Sequence, residues 1–205
     1  DGFNARLSDT AIAHADGYEN TTVHASGRFT ISPKWQAGGS AHHVSGDNDY
    51  DGCFDPNPVA TLHDCRDSFQ QSAWRGFVGW NNDRADSELS FQHHQIKRQF
   101  FSRDVSTFRA DGSQQQLSWL NSLQLNSDQR IVAGLDWQKQ SVEDQSFDRQ
   151  RRNVGVYAEY RGSVGLGTLS AALRHDDNED FGTYNSWRIS STQHLNLGIL
   201  PLTVK

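Results

Sequence analysis

The stretch Ile131-Val132-Ala133-Gly134-Leu135-Asp136-Trp137-Gln138 decides the fold, because its large apolar residues fall on alternate positions. Ile131, Ala133, Leu135 and Trp137 share one side, and Val132, Gly134, Asp136 and Gln138 share the other. A period of two is the geometry of a strand, whose successive side chains point to opposite faces. The same beat recurs on both sides of this segment. Val154, Val156, Ala158 and Tyr160 alternate with Asn153, Gly155, Tyr157, Glu159 and Arg161. Leu169, Ala171 and Leu173 alternate with Ser170, Ala172 and Arg174, and Val23, Ala25, Gly27, Phe29 and Ile31 with Thr22, His24, Ser26, Arg28 and Thr30.

These segments predict an all-β chain, an antiparallel meander of about ten strands. Their connections are uneven. Short polar turns stand at Ser32-Pro33-Lys34, Asn126 to Gln129, Gly165 to Gly167 and Asn196 to Gly198, with a slightly longer link from Asn81 to Ser87. The alternate connections are longer and hydrophilic, at residues 46–68, 102–112, 141–151 and 176–184. Tight turns at one end and long loops at the other are the pattern of a transmembrane β-barrel.

Composition agrees with a barrel better than with a packed interior. Of the 205 residues only 35% are hydrophobic and none is methionine, while aromatics reach 11%. Mean hydropathy is -0.75. Disordered chains are poor in aromatics, so six Trp and eleven Phe favour β-structure with one narrow apolar face. A soluble sandwich or lipocalin-like barrel is the alternative, as a binding or adhesion module. It needs an apolar interior, yet the second face carries Arg28, Asp136, Glu159, Arg161 and Arg174. Those charges suit a water-filled or plugged lumen. Trp35, Trp80, Trp137 and Tyr160, near strand ends, fit interfacial girdles.

A net charge of -6 and the lack of a basic stripe argue against nucleic acid as partner. Arg149, Arg151 and Arg152 form the one basic cluster and read as a solvated loop end. No apolar run approaches the ~18 residues of a spanning helix. The chain opens on Asp1 without an initiator Met, and Leu200 to Lys205 read as an unfinished strand, so the expectation is a piece of a longer polypeptide.

Cys53 and Cys65 lie in one short polar segment. Two thiols that close suggest a disulfide in an oxidising compartment. Zinc is the weaker reading, since there is no C-x-x-C and His63 is the one nearby imidazole; unpaired thiols are the third. His42-His43 and His93-His94 are adjacent along strands, so each pair faces both ways and cannot grip a single ion. Asp47-Asn48-Asp49-Tyr50-Asp51-Gly52 begins like an EF-hand loop, but Pro58 stands where the closing Glu belongs. The acidic run Asp176, Asp177, Glu179 and Asp180 reads as solvated. No nucleophile elbow, zinc-protease helix, P-loop or dinucleotide fingerprint is present, and the expectation is that the protein is not an enzyme.

Three segments in succession carry a family resemblance. Ala133-Gly134-Leu135-Asp136-Trp137-Gln138-Lys139-Gln140 comes first. Phe147-Asp148 follows, with Arg151, Arg152, Asn153 and then Val156-Tyr157. Leu173-Arg174-His175-Asp176-Asp177-Asn178 is closed by Phe181-Gly182. In this order they resemble the middle barrel of TonB-dependent outer-membrane receptors of the cobalamin (vitamin B12) transporter type. Asp1-Gly2-Phe3-Asn4, Asp16-Gly17-Tyr18 and Asp49-Tyr50-Asp51 are similar in layout to the start of that region. The likeness covers nearly the whole chain and is thin between about residues 85 and 115.

The resemblance implies a partial β-barrel domain over residues 1–205, less than half of a barrel of roughly 22 strands. It would lack the plug domain, the TonB box and the C-terminal barrel strands. Localisation would be the bacterial outer membrane, with membrane lipid, a large nutrient such as cobalamin, and TonB acting through the missing plug as partners. A siderophore or other large nutrient is the alternative substrate. The family's acidic extracellular loops bind calcium, and the matching positions here are Asp16, Tyr50, Asp51 and Asp64. Their oxygens are of the type Ca²⁺ takes. Asn4 and His14 stand where the family carries acids, which implies weaker binding or one ion fewer.

Overall fold

The computed structural model describes residues 16–53, 64–165, 167–197 and 200–204. They form ten strands: β1 (Tyr18–Ser32), β2 (Trp35–Tyr50), β3 (Cys65–Asn81), β4 (Ala85–Ser102), β5 (Val105–Asn126), β6 (Gln129–Asp144), β7 (Asp148–Val164), β8 (Gly167–Asn178), β9 (Gly182–Leu197) and β10 (Leu200–Val204). Each strand pairs with the next in sequence, giving a single ten-stranded sheet in the order β1 to β10. Every pairing is antiparallel.

Residues opposite one another across an antiparallel ladder lie on the same face, so the register sorts the side chains into two surfaces. One surface carries Phe29, Ala37, Val78, Leu89, Trp119, Leu135 and Val156 in a continuous row of paired positions, and Leu173, opposite Ala158, lies on the same face. Along β1, β3, β6 and β7 this apolar band lasts about seven to nine residues, roughly 23–30 Å before tilt at the usual rise. A barrel needs an apolar band about 25 Å tall to meet the hydrocarbon. Leu173 is 68% exposed and Trp187 73%. Among the described residues no second layer covers them, which removes the two-sheet sandwich.

Aromatic residues border the band. Trp35 pairs with Trp80 beside the Pro33-Lys34 turn, and Tyr160 pairs with Ile131 near the turn at residues 127–128. Trp74 packs on Phe91 at the opposite border, with ring centres 5.3 Å apart, and Trp137 sits opposite Leu117 there. The four aromatics expected as girdle residues therefore divide between both borders, where an amphipathic ring meets the water interface.

The long connections differ from expectation. Residues 102–112 are not a loop: β4 runs to Ser102 and β5 starts at Val105. Arg103 and Asp104, with φ of 49° and 58°, make the turn. Left-handed φ at both central residues is the two-residue hairpin geometry that matches strand twist. The hydrophilic stretches 141–151 and 176–184 are likewise mostly ladder, interrupted at residues 145–147 and 179–181. Of these four stretches, only the first separates its strands by more than a short turn, at residues 51–64. The physical reason is that strands continuing above the hydrocarbon meet water on both faces, so polar residues occupy both while backbone pairing goes on. β5 reaches 22 residues in this way. The short turns at 33–34, 82–84 and 127–128 fall within the segments where the sequence places them, whereas Asn196 and Leu197, expected in a turn, are the last residues of β9.

Candidate functional site

The second surface of the sheet is mainly polar and holds itself together by side-chain bonds across strands. Arg75 pairs with Glu88 at 2.5 Å, and Arg188 with Glu159 at 3.3 Å. Arg174 donates to Asp136 at 3.1 Å and to both Asp176 oxygens at 2.8 Å. Amides fill the space between the charges: Gln92 donates to Gln116 at 2.7 Å and Gln140 to Gln114 at 3.1 Å. The guanidinium groups of Arg28 and Arg75 lie 5.5 and 5.0 Å from the ring centre of Phe77. Half-buried charges at a wall of this kind are tolerated because each has a partner and access to water. Asp136, Glu159 and Arg174 were legible as this face in the sequence; their partners were not, since register is set by pairing and not by composition.

At the end of the sheet that carries the 51–64 connection, the sequence-proposed residues come to neighbouring strands. The Asp49 amide donates to the Gly17 carbonyl at 2.8 Å, which carries the β1–β2 pairing up to Asp16. Tyr50 lies opposite Cys65, Asp51 follows it at the bend, and the Asp64 carbonyl accepts from the Arg103 amide at 3.0 Å. Asp16, Tyr50, Asp51 and Asp64 are thus brought to one level across β1 to β3. Among the described residues no three His, Cys, Asp or Glu side chains converge as a ready metal cluster. The donors are oxygens, which suits Ca²⁺ in kind, without a chelate already closed. Asn4, His14, His63 and Pro58 lie outside the described residues. Asp47 to Tyr50 belong to β2, so the EF-hand reading fails on structure as it did on sequence.

Cys53 and Cys65 form a disulfide spanning 12 positions. It anchors the long connection to the first residue of β3. Directly below it sits a cluster that sequence reasoning missed. Asp67 is 5% exposed and takes a two-pronged contact from Arg98, Nε to Oδ1 at 3.0 Å and Nη2 to Oδ2 at 2.5 Å. The Arg98 guanidinium also lies 5.1 Å from the Phe100 ring centre. Burial, and then the Asp67 charge, push the Tyr50 hydroxyl above its ordinary pKa, against a smaller opposing effect of Arg98. The hydrogen bonds that Arg98 donates to Asp67 raise the Arg98 pKa above its ordinary value. No signal in the sequence joins residues 31 positions apart.

The arginine trio also needs correction. Arg149, Arg151 and Arg152 are in β7, not in a loop. Arg152 lies opposite Lys139 on the outer surface. Arg149 and Arg151 face the polar surface, where Arg151 donates to Gln140 and stands 5.9 Å from the ring centre of Phe181. With Phe147 they line a cleft of about 610 Å³ at the same end of the sheet. Phe181 is 79% exposed there.

A sheet with one apolar banded face, one ion-paired face and strands that overrun the band is a barrel wall. Its counterparts are known. Over 95% of its length the chain superposes on the ferric enterobactin receptor PfeA (G324V mutant) of Pseudomonas aeruginosa, with a TM-score of 0.75 and 14% identity, covering 33% of that chain. The siderophore receptor PirA of the same organism gives 0.73 at 17% identity, over 87% of this chain and 31% of that one. The fold is that of a TonB-dependent outer-membrane receptor barrel. In sequence the chain is 24% identical over 198 residues to the vitamin B12 transporter BtuB of Photobacterium profundum, across 95% of this chain and 32% of that protein. No family model matches. The chain thus spans about a third of the length of these relatives, which are a transporter and two receptors. The location that goes with this barrel fold is the outer membrane of Gram-negative bacteria.

Proposed function

We propose that this chain is one arc of the wall of an outer-membrane receptor that imports cobalamin, and that it acts as no enzyme. The observation that carries the proposal is the two-faced sheet, with its lipid-facing apolar band and its partnered polar lumen face. The sequence likeness to a vitamin B12 transporter supports cobalamin as the cargo. In this reading the end of the sheet around Tyr50, the Cys53–Cys65 bridge and the Arg151–Phe181 cleft takes part in capture. The bridge limits the freedom of the chain between Cys53 and Cys65, so less is lost when a ligand closes on it. TonB would act through a plug domain seated against the polar wall.

Calcium ordering of Asp16, Tyr50, Asp51 and Asp64 belongs to the same proposal. Its support is their common level at the ends of three adjacent strands and their oxygen donors. The test is equilibrium binding of cyanocobalamin to the protein in detergent, with calcium or with chelator. Binding strengthened by calcium, and weakened in Asp51→Asn and Asp64→Asn, supports both parts. Cobalamin binding indifferent to calcium keeps the cargo and removes the ion.

A second reading, a receptor for a siderophore or other large nutrient, is favoured by the superposition on two siderophore receptors. Binding of a ferric siderophore with no binding of cyanocobalamin would select it.

A further inference from the structure

Several histidines of the sheet are already engaged. His43 bonds Ser72 at 2.8 Å, His94 bonds Gln71 at 3.0 Å, and His175 bonds Asn185 at 2.7 Å. His24 and His42 differ. They are directly opposite one another on β1 and β2, on the polar face, with ring centres 6.0 Å apart. Among the described residues neither ring has a hydrogen-bond partner. The pairs on either side of them on that face are Thr22 with Val44 and Ser26 with Ser40, which are small and leave the space above the rings open.

We propose that His24 and His42 form a two-imidazole site for a divalent transition metal on the inner wall. An ion about 2.1 Å from one nitrogen of each ring lies roughly 3.2 Å from each ring centre, so tetrahedral coordination puts the centres about 5 Å apart. The observed 6.0 Å closes to that value by side-chain rotation alone, with no change in the ladder. Nitrogen ligands without a carboxylate select Cu²⁺, Ni²⁺ or Zn²⁺ over Ca²⁺ or Mg²⁺. No third His, Cys, Asp or Glu joins the pair among the described residues, so water occupies the remaining positions and the ion stays exchangeable. Such a site would hold an aquated ion, or one still bound to part of another ligand, at the wall. It is separate from the loop-end oxygens and does not depend on which nutrient is carried.

The probe is Cu²⁺ added to the protein in detergent, purified without a histidine tag and followed by electron paramagnetic resonance. The expected result is one ion per chain with hyperfine coupling to two nitrogens. His24→Gln or His42→Gln should lower the affinity at least tenfold and leave one coupled nitrogen. His43→Gln and His93→Gln should change neither reading. Retained heat-modifiable migration on gels confirms that each variant is folded. Coupling to fewer than two nitrogens in the unaltered protein overturns the proposal without any variant. Wild-type affinity in both His24→Gln and His42→Gln, or equal loss in His43→Gln, overturns it as well.

Discussion

Arg174 on β8 reaches over Gly155 on β7 to bond Asp136 on β6, with Nη1 3.1 Å from Oδ2. One guanidinium thereby ties three strands, because Gly155 lies opposite both Asp136 and Asp176. A Cβ at Gly155 would fall against the Arg174 guanidinium and within 2.7 Å of Asp176 Oδ1. The glycine is there so that the ion pair can cross.

Gly155→Val should therefore displace Arg174 and leave Asp136 without its partner. Overpacking of this kind costs about 1–3 kcal/mol. The measurement is the urea-unfolding free energy of the protein in lipid. Adding Arg174→Met to Gly155→Val should recover part of the loss, since the clashing group is gone.

The two faces should respond oppositely to charge. Leu135 lies in the middle of the apolar band, and Leu135→Arg should cost about 2–4 kcal/mol in lipid. Ser118 lies opposite Asp136 on the polar face, and Ser118→Lys should cost less than about 1 kcal/mol. Equal penalties would mean that the faces are misassigned.

The turn after β6 depends on an ionised carboxylate. Asp144 Oδ1 accepts from the Ser146 amide at 2.6 Å, the Ser146 hydroxyl at 2.8 Å and the Phe147 amide at 2.9 Å. The Ser146 amide bond is the largest of the influences that hold Asp144 below its ordinary value of 3.8, and partial desolvation opposes them. A depressed folded value means that this carboxylate stabilises the turn above the unfolded pKa, and that the effect is lost as pH falls through the folded one. The carboxyl carbon of Asp144, followed by nuclear magnetic resonance, should titrate below pH 3.8. Ser146→Ala, which removes the hydroxyl bond, should move the midpoint up. A midpoint at or above 3.8 in the unaltered protein would contradict the geometry.

Reduction of Cys53–Cys65 should loosen the 51–64 connection and spare the sheet. Closing a loop of this size stabilises by about 3 kcal/mol in the chain-entropy account, while Cys65 keeps its ladder partners Tyr50 and Ser102. Limited proteolysis in reductant should cut within 51–64 first and leave the strands protected.

Much of this wall is written in the period of two. Ile131 to Gln138 and Asn153 to Arg161 alternate in sequence as they do in space, so strand identity and the sense of each face are readable before any pairing is known. The overrun beyond the band is not readable in that way. Residues 102–112 carry no alternation because both faces there are wet, and the signal of a strand vanishes although its hydrogen bonds continue. Register is the other blind spot. Asp67 and Arg98, or His24 and His42, become neighbours only when the hairpins close, and nothing local to either residue announces the partner. The disulfide was legible because both of its ends lie in one short segment.

The central claim is that the alternation seen at Ile131 to Gln138 separates lipid from lumen. Single cysteines placed along β6 from 131 to 141 and exposed to a water-soluble maleimide in outer-membrane vesicles test it directly, with the native disulfide left intact. Positions 132, 134, 136 and 138 should label and positions 131, 133, 135 and 137 should resist, while 139, 140 and 141, above the band, should all label. Uniform labelling from 131 to 138, or protection of the even positions instead of the odd ones, would contradict a barrel wall with this face toward lipid.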